Sequence, residues 1–335
     1  MAPATLLSHV RTHLTVDVDS MDPDVAARHT TDQHRFCDMT SNQAIVYSEA
    51  VRPERAHVVQ AAVAQIRSAE AELDLDTKVS DALDLLTVLL AKEVYPHITG
   101  RVHAQASPSA AYDTEATIQH AKKLVALFEA NGIPKSRVCI KIPTTPESVI
   151  ACNYLERLGI RTLATCLFSV PQAMAAHQAG CLYVAPYFNE LRVHFEPGVW
   201  KEYEDTAREH PMAPVIGAIV KLYGEIGART LVMPASIVTA KEVLALVSLR
   251  PDHLTLSGAV LDQLAAAATE GPDAVPEDPK PHHAENINYL ENGAAALREA
   301  FAADAEASRK MADALRIFGE MEAKTKELLR AALQA

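Results

Sequence analysis

The sequence predicts an α/β protein built as a (β/α)8 TIM barrel with additional C-terminal helices. Three observations predict it. Short apolar runs alternate with stretches of helical periodicity, the pattern that makes parallel strands joined by crossover helices. There are eight such runs, which suits a closed barrel. No Gly-x-Gly-x-x-Gly follows the first of them, which disfavours an open dinucleotide-binding sheet.

In chain order the runs are HLTVDV at 13–18, FCDMTS at 36–41, RVHAQAS at 101–107, RVCIKIP at 137–143, IRTLATCLF at 160–168, GCLYVAPYF at 180–188, RTLVMPAS at 229–236 and DHLTLSG at 252–258. Helical periodicity fills segments such as 114–132, which closes on Asn131-Gly132 as a stop signal, and 146–159. Residues 270–283 are rich in Pro and acid and read as a loop. The Ala-, Glu- and Leu-rich stretch 284–335 reads as a helical extension that packs on the barrel or across its mouth, so residues 1–335 are expected to form one barrel domain.

Composition bounds the function. An apolar share of 49% with 22% charged residues suits a chain that buries a large core. A net charge of −12 with dispersed Lys and Arg leaves no basic stripe for nucleic acid. No apolar stretch approaches the roughly 20 residues of a membrane span, and the N-terminus has no secretion-signal pattern. A soluble cytoplasmic protein is expected, with a homo-oligomer left open. The five cysteines form an odd set without a Cys-x-x-Cys pair, which argues against a disulfide framework or a zinc site. Cys139 and Cys166 read as buried hydrophobes. No metal and no cofactor is expected.

Catalytic side chains of such barrels sit where strands end at the C-terminal face. There, Lys141 interrupts the apolar strand Val138-Cys139-Ile140-Lys141-Ile142-Pro143. Burial disfavours an ammonium charge, and the neutral amine is the form that attacks a carbonyl. A structural ion pair is the alternative. Asp17 and Asp19 share one face of the first strand by the period of two, Asp19 nearer the mouth. Gln105, Thr165 and Tyr187 end or lie on other strands, so polar groups from separate strands converge on one cavity.

These segments resemble the transaldolase family, including its fructose-6-phosphate aldolase branch. The resemblance rests on Thr40-Ser41-Asn42, Gly100-Arg101-Val102, Ala111-Tyr112-Asp113-Thr114-Glu115-Ala116, Ile140-Lys141-Ile142-Pro143, Gln172-Ala173 with Ala179-Gly180, and Met233-Pro234-Ala235-Ser236. It implies that Lys141 is the Schiff-base lysine, Asp19 its acid/base partner, Asn42 a donor near substrate hydroxyls and Thr165 the holder of a catalytic water. It also implies substrate contacts for Ser236, Asn189 and Glu190. Gln105 and Tyr187 stand where ordinary transaldolases carry glutamate and phenylalanine, and resemble the aldolase branch. A phenol can donate and recover a proton during release of an enamine, whereas a phenyl ring cannot.

Glu190 and Val238 stand at the family's phosphate-binding arginines, with Arg192 a candidate substitute. Leu163 and Ala185 replace two further polar positions. The expected activity is therefore a metal-free Schiff-base aldolase acting on an unphosphorylated small carbonyl substrate. The alternatives are a transaldolase moving a dihydroxyacetone unit between sugar phosphates of the pentose phosphate pathway, an imine-forming lyase or condensing enzyme of specialised biosynthesis, and a non-catalytic scaffold barrel.

Overall fold

The computed structural model describes residues 5–31, 34–69, 73–268 and 287–335. Seven strands are regular: β1 Thr15–Val18, β2 Val102–Gln105, β3 Val138–Pro143, β4 Arg161–Leu167, β5 Tyr183–Pro186, β6 Leu231–Val232 and β7 His253–Leu256. Strands β2 to β6 pair in sequence order and β1 pairs with β7, all in parallel. The chain is a parallel β/α barrel, as the alternation predicts.

The eighth run, 36–41, is not a regular strand, yet it occupies a place in the ring. Met39 bridges both Val18 and Val102. Thr40 N donates to Val18 O at 2.9 Å and His103 N to Met39 O at 2.8 Å. The ladder is interrupted because Asp38 N turns to the side chain of Asp17, at 2.7 Å. Strand β6 is short for a different reason: Pro234 has no N–H to donate. Backbone bonds from Asp252 N to Val232 O (3.1 Å) and from Thr255 N to Pro234 O (3.4 Å) join it to β7. Hydrogen bonds thus run around all eight positions.

The strands are buried on both faces, β3 without exception, as a parallel sheet walled by helices requires. Helices start where the sequence supplies caps. Asn42, Asp113, Thr145, Ser169, Thr239 and Ser257 each accept from a backbone N–H of the first turn that follows. The segments read as helical at 114–132 and 146–159 are helices Thr114–Ala130 and Pro146–Arg157, the first ending before Gly132, whose φ is +86°.

Residues 270–283 lie outside the described residues. Beyond them, helix Ala305–Gln334 lays Ala307, Met311, Ala314, Phe318, Glu322, Thr325 and Leu329 against the molecule. It packs on helices Gln43–Ala50 and Leu75–Val94 and on the turns Leu191–His194 and Pro108–Ala110, so it runs along the end of the barrel where the strands finish.

Gly100 sits where the chain enters β2, and a methyl group there would meet Asp38 Oδ1 at 1.9 Å and Cys37 O at 2.8 Å. Gly100→Ala should therefore cost about 1–3 kcal/mol, the range for overpacking. Denaturant unfolding checks this, and an unchanged midpoint would refute it.

Candidate active site

A cavity of about 400 Å³ opens at the strand ends, within the range of small-molecule sites. Its deep wall holds Lys141, Asp19, Tyr187, Asn42 and Thr255. Lys141 projects from the middle of β3 and is 2% exposed. Among the described residues its amine has no hydrogen bond and no ion pair, and the structural ion pair weighed as its alternative is absent there. A buried ammonium ordinarily needs a carboxylate to offset its lost hydration, which makes this unpaired amine on a cavity a candidate for chemistry.

Asp19 follows β1 and is half-buried. Its carboxylate accepts from Thr40 Oγ1 at 2.5 Å, and Thr40 Oγ1 lies 2.5 Å from Thr255 Oγ1. The Thr40 hydroxyl holds this carboxylate, and Thr255 of β7 holds Thr40 in turn. Asn42 uses its Oδ1 to cap the helix that begins at Gln43, accepting from Ala44 N and Ile45 N, which leaves its Nδ2 donor for the cavity.

Tyr187 is 2% exposed, and its hydroxyl accepts from Thr165 Oγ1 at 3.1 Å. Cys166 Sγ lies 3.8 Å from the same oxygen. Consecutive residues of a strand ordinarily face opposite ways. Here the β4–β5 register shifts between Ala164 and Leu167, and Cys166 has φ +51°, so both side chains turn to Tyr187. Burial, followed by the neighbouring Cys166, pushes the Tyr187 hydroxyl well above its ordinary pKa, which keeps the phenol protonated. Burial likewise raises the Cys166 thiol to about 11.

Four expected residues are off the lining of this cavity: Thr165 stands behind Tyr187, and three lie elsewhere. Gln105 is beside Lys141 in register, but its Nε2 donates to Gln43 Oε1 at 2.7 Å and it lines a separate cavity of about 20 Å³. Asn189 gives its Nδ2 to Ser236 O and Glu242 Oε2, both at 3.0 Å, and does not line the larger cavity. Glu190 also lies outside that lining, ion-paired at 2.8 Å to Arg309 of the C-terminal helix. Arg192 is held by Glu196 at 2.8 Å. Ser236 does reach the cavity, at φ +60°, and its Oγ meets His194 Nε2 at 2.9 Å. Sequence reasoning missed His194, Cys166 and Arg309. His194 sits in an irregular turn, the bulge is invisible in composition, and 119 residues separate Glu190 from Arg309.

A second polar layer lies one step deeper, two residues before the cavity positions Asp19 and Thr255, two before Gln105 on β2 and four before Tyr187. Asp17 Oδ2 bonds His253 Nδ1 at 2.7 Å, and Asp38 Oδ2 bonds His103 Nε2 at 2.8 Å. The Tyr183 ring lies 5.6 Å from His103 and 5.2 Å from His253. Burial works to raise the Asp38 carboxyl, but the hydrogen bond and charge of His103, with donation from Arg101 N and Tyr183, outweigh it and hold it well below the carboxylate range. Asp17, Cys37 and His253 bring potential ligand atoms within 4.8 Å of one another, but the direct Asp17–His253 bond already satisfies two of them.

An α/β barrel with a lysine and a carboxylate on one cavity defines an enzyme of the transaldolase/aldolase type, and comparison with known proteins agrees. The Transaldolase/Fructose-6-phosphate aldolase family matches residues 15–329. A transaldolase of Methylobacillus flagellatus is 33% identical over 234 residues, covering 70% of this chain and 72% of that protein. One from Alteromonas mediterranea is 31% identical over 98% of this chain and 99% of its own length. One from Shewanella amazonensis is 28% identical over the same shares. The chain belongs to the transaldolase/fructose-6-phosphate aldolase family.

The Asp38–His103 pair gives a prediction with a definite sign. A depressed carboxyl contributes stability above its unfolded pKa of about 3.9 and loses it as pH falls through the lower folded value. Asp38→Asn should cost roughly 3–5 kcal/mol at pH 7, the penalty for breaking a buried pair, and the deficit should narrow below about pH 4. Urea unfolding at both pH values measures it, and a deficit independent of pH would contradict the ionised pair.

Proposed function

We propose that the protein is a class I aldolase that forms a Schiff base between Lys141 and a ketone donor and joins it to, or releases it from, an unphosphorylated aldehyde. One observation carries the reading: the unpaired, buried amine of Lys141 opens on the same cavity as Asp19 and Tyr187.

Lys141 Nζ attacks the ketone carbon, and the carbinolamine loses water to give an iminium. Asp19 is the group placed to carry protons in this step. Loss of an α-proton then gives an enamine, whose carbon attacks the aldehyde and forms the new C–C bond. Water hydrolyses the product imine and restores the amine. Tyr187, protonated and bonded to Thr165, is the donor that can protonate an enamine and release a free ketone, which favours aldol chemistry over transfer between two sugars. Thr165 reaches the reaction through Tyr187.

Among the described residues, Lys141 is the one Lys or Arg in the cavity lining, and Val238 forms part of the wall, which supports an unphosphorylated substrate. Transfer between sugar phosphates, the reading suggested by the relatives' name, is separated by a coupled assay with fructose 6-phosphate and erythrose 4-phosphate.

Borohydride reduction in the presence of hydroxyacetone or dihydroxyacetone should add one donor mass to the intact protein and none to Lys141→Ala. Absence of any adduct with the native chain would refute the reading. In Tyr187→Phe the adduct should persist while aldol turnover falls by about 10²–10⁴-fold, the usual worth of a general acid or base. Unchanged turnover would remove the phenol from the mechanism.

A further inference from the structure

The cavity changes character with depth. Its strand-end residues, Asp19, Asn42, Thr255 and Tyr187, offer polar atoms around Lys141. Farther out, the loops contribute Leu191 and Phe195 after β5, Ile237 and Val238 after β6, and Val260 after β7. Phe195, on the cavity lining, is 39% exposed, a large apolar side chain partly open to solvent. Exposed apolar surface that borders a cavity marks a binding surface.

The electrostatics agree. The arginines near the mouth are engaged: Arg309 by Glu190, Glu306 and Asp313, Arg192 by Glu196, and Arg316 by Glu320. Among the described residues, the outer half of the lining offers no Lys or Arg to an anionic group that loses its hydration there. His194 faces the cavity with its Nε2 on Ser236 Oγ. Although the residue is exposed, desolvation by the protein packed around its ring lowers its pKa, which disfavours a positive charge there.

From this gradient, and resting on the Schiff-base reading above, we infer that the acceptor is an uncharged aldehyde with an apolar alkyl or aryl tail. Its carbonyl points to Lys141 and its tail lies along Leu191, Phe195, Val238 and Val260.

The test is a chain-length series. With dihydroxyacetone as donor, kcat/KM is measured for propanal, butanal, pentanal and hexanal, with glyceraldehyde 3-phosphate as the anionic comparison. Each buried methylene is worth about 0.8 kcal/mol, so kcat/KM should rise about fourfold per carbon and the phosphorylated aldehyde should be the poorest acceptor. Val238→Arg should raise the rate with glyceraldehyde 3-phosphate relative to hexanal. If that variant does not fold, Phe195→Ser at the rim should flatten the chain-length slope. A flat or falling series, or a preference for the phosphorylated aldehyde, with the Lys141 adduct intact, overturns this inference and leaves the Schiff-base reading standing. Absence of the adduct overturns both.

Discussion

A lysine amine held inside a barrel without a counter-ion is the constraint on which the rest of the site depends. Removing an ammonium from water is costly, and proteins ordinarily offset that cost with a carboxylate. Among the described residues Lys141 has none, although Asp19 shares its cavity. The Asp19 carboxylate is instead held by Thr40, itself tied to Thr255. That division leaves the amine and the carboxylate as separate groups, as the proposed chemistry requires.

The surrounding barrel makes this arrangement rigid. Below the cavity, Asp17 with His253 and Asp38 with His103 fill the interior with a hydrogen-bonded layer that also ties segment 36–41 to β1. The local break in the ladder at Asp38 is therefore part of the support of the site. The bulge at Cys166 serves the same end on the opposite side, where two consecutive residues meet the Tyr187 hydroxyl. Positive φ at Cys166 and Ser236 places backbone strain at the cavity, where over-determined structure can hold it.

Much of this was legible in the residues. Apolar runs separated by helical segments specify a parallel barrel, because every strand must be buried on both faces and each crossover needs a helix. A lysine within such a run is conspicuous for the same reason, and the period of two sets Asp19 on the face of Asp17, nearer the barrel mouth. The errors have local causes. Asn189 and Glu190 lie just past a strand, where an irregular turn sets direction, and their side chains go to Glu242 and to Arg309. Gln105 has the expected register but a better partner in Gln43. His194, Cys166 and Arg309 depend on a turn, a bulge and a distant helix, none of which leaves a periodic trace.

The central claim is best tested by the crystal structure of the protein reduced with borohydride in the presence of dihydroxyacetone. The account predicts continuous density from Lys141 Nζ into the cavity, with the donor chain between Asp19 and Tyr187. A free Lys141 amine, with the donor bound elsewhere or to another lysine, would contradict it.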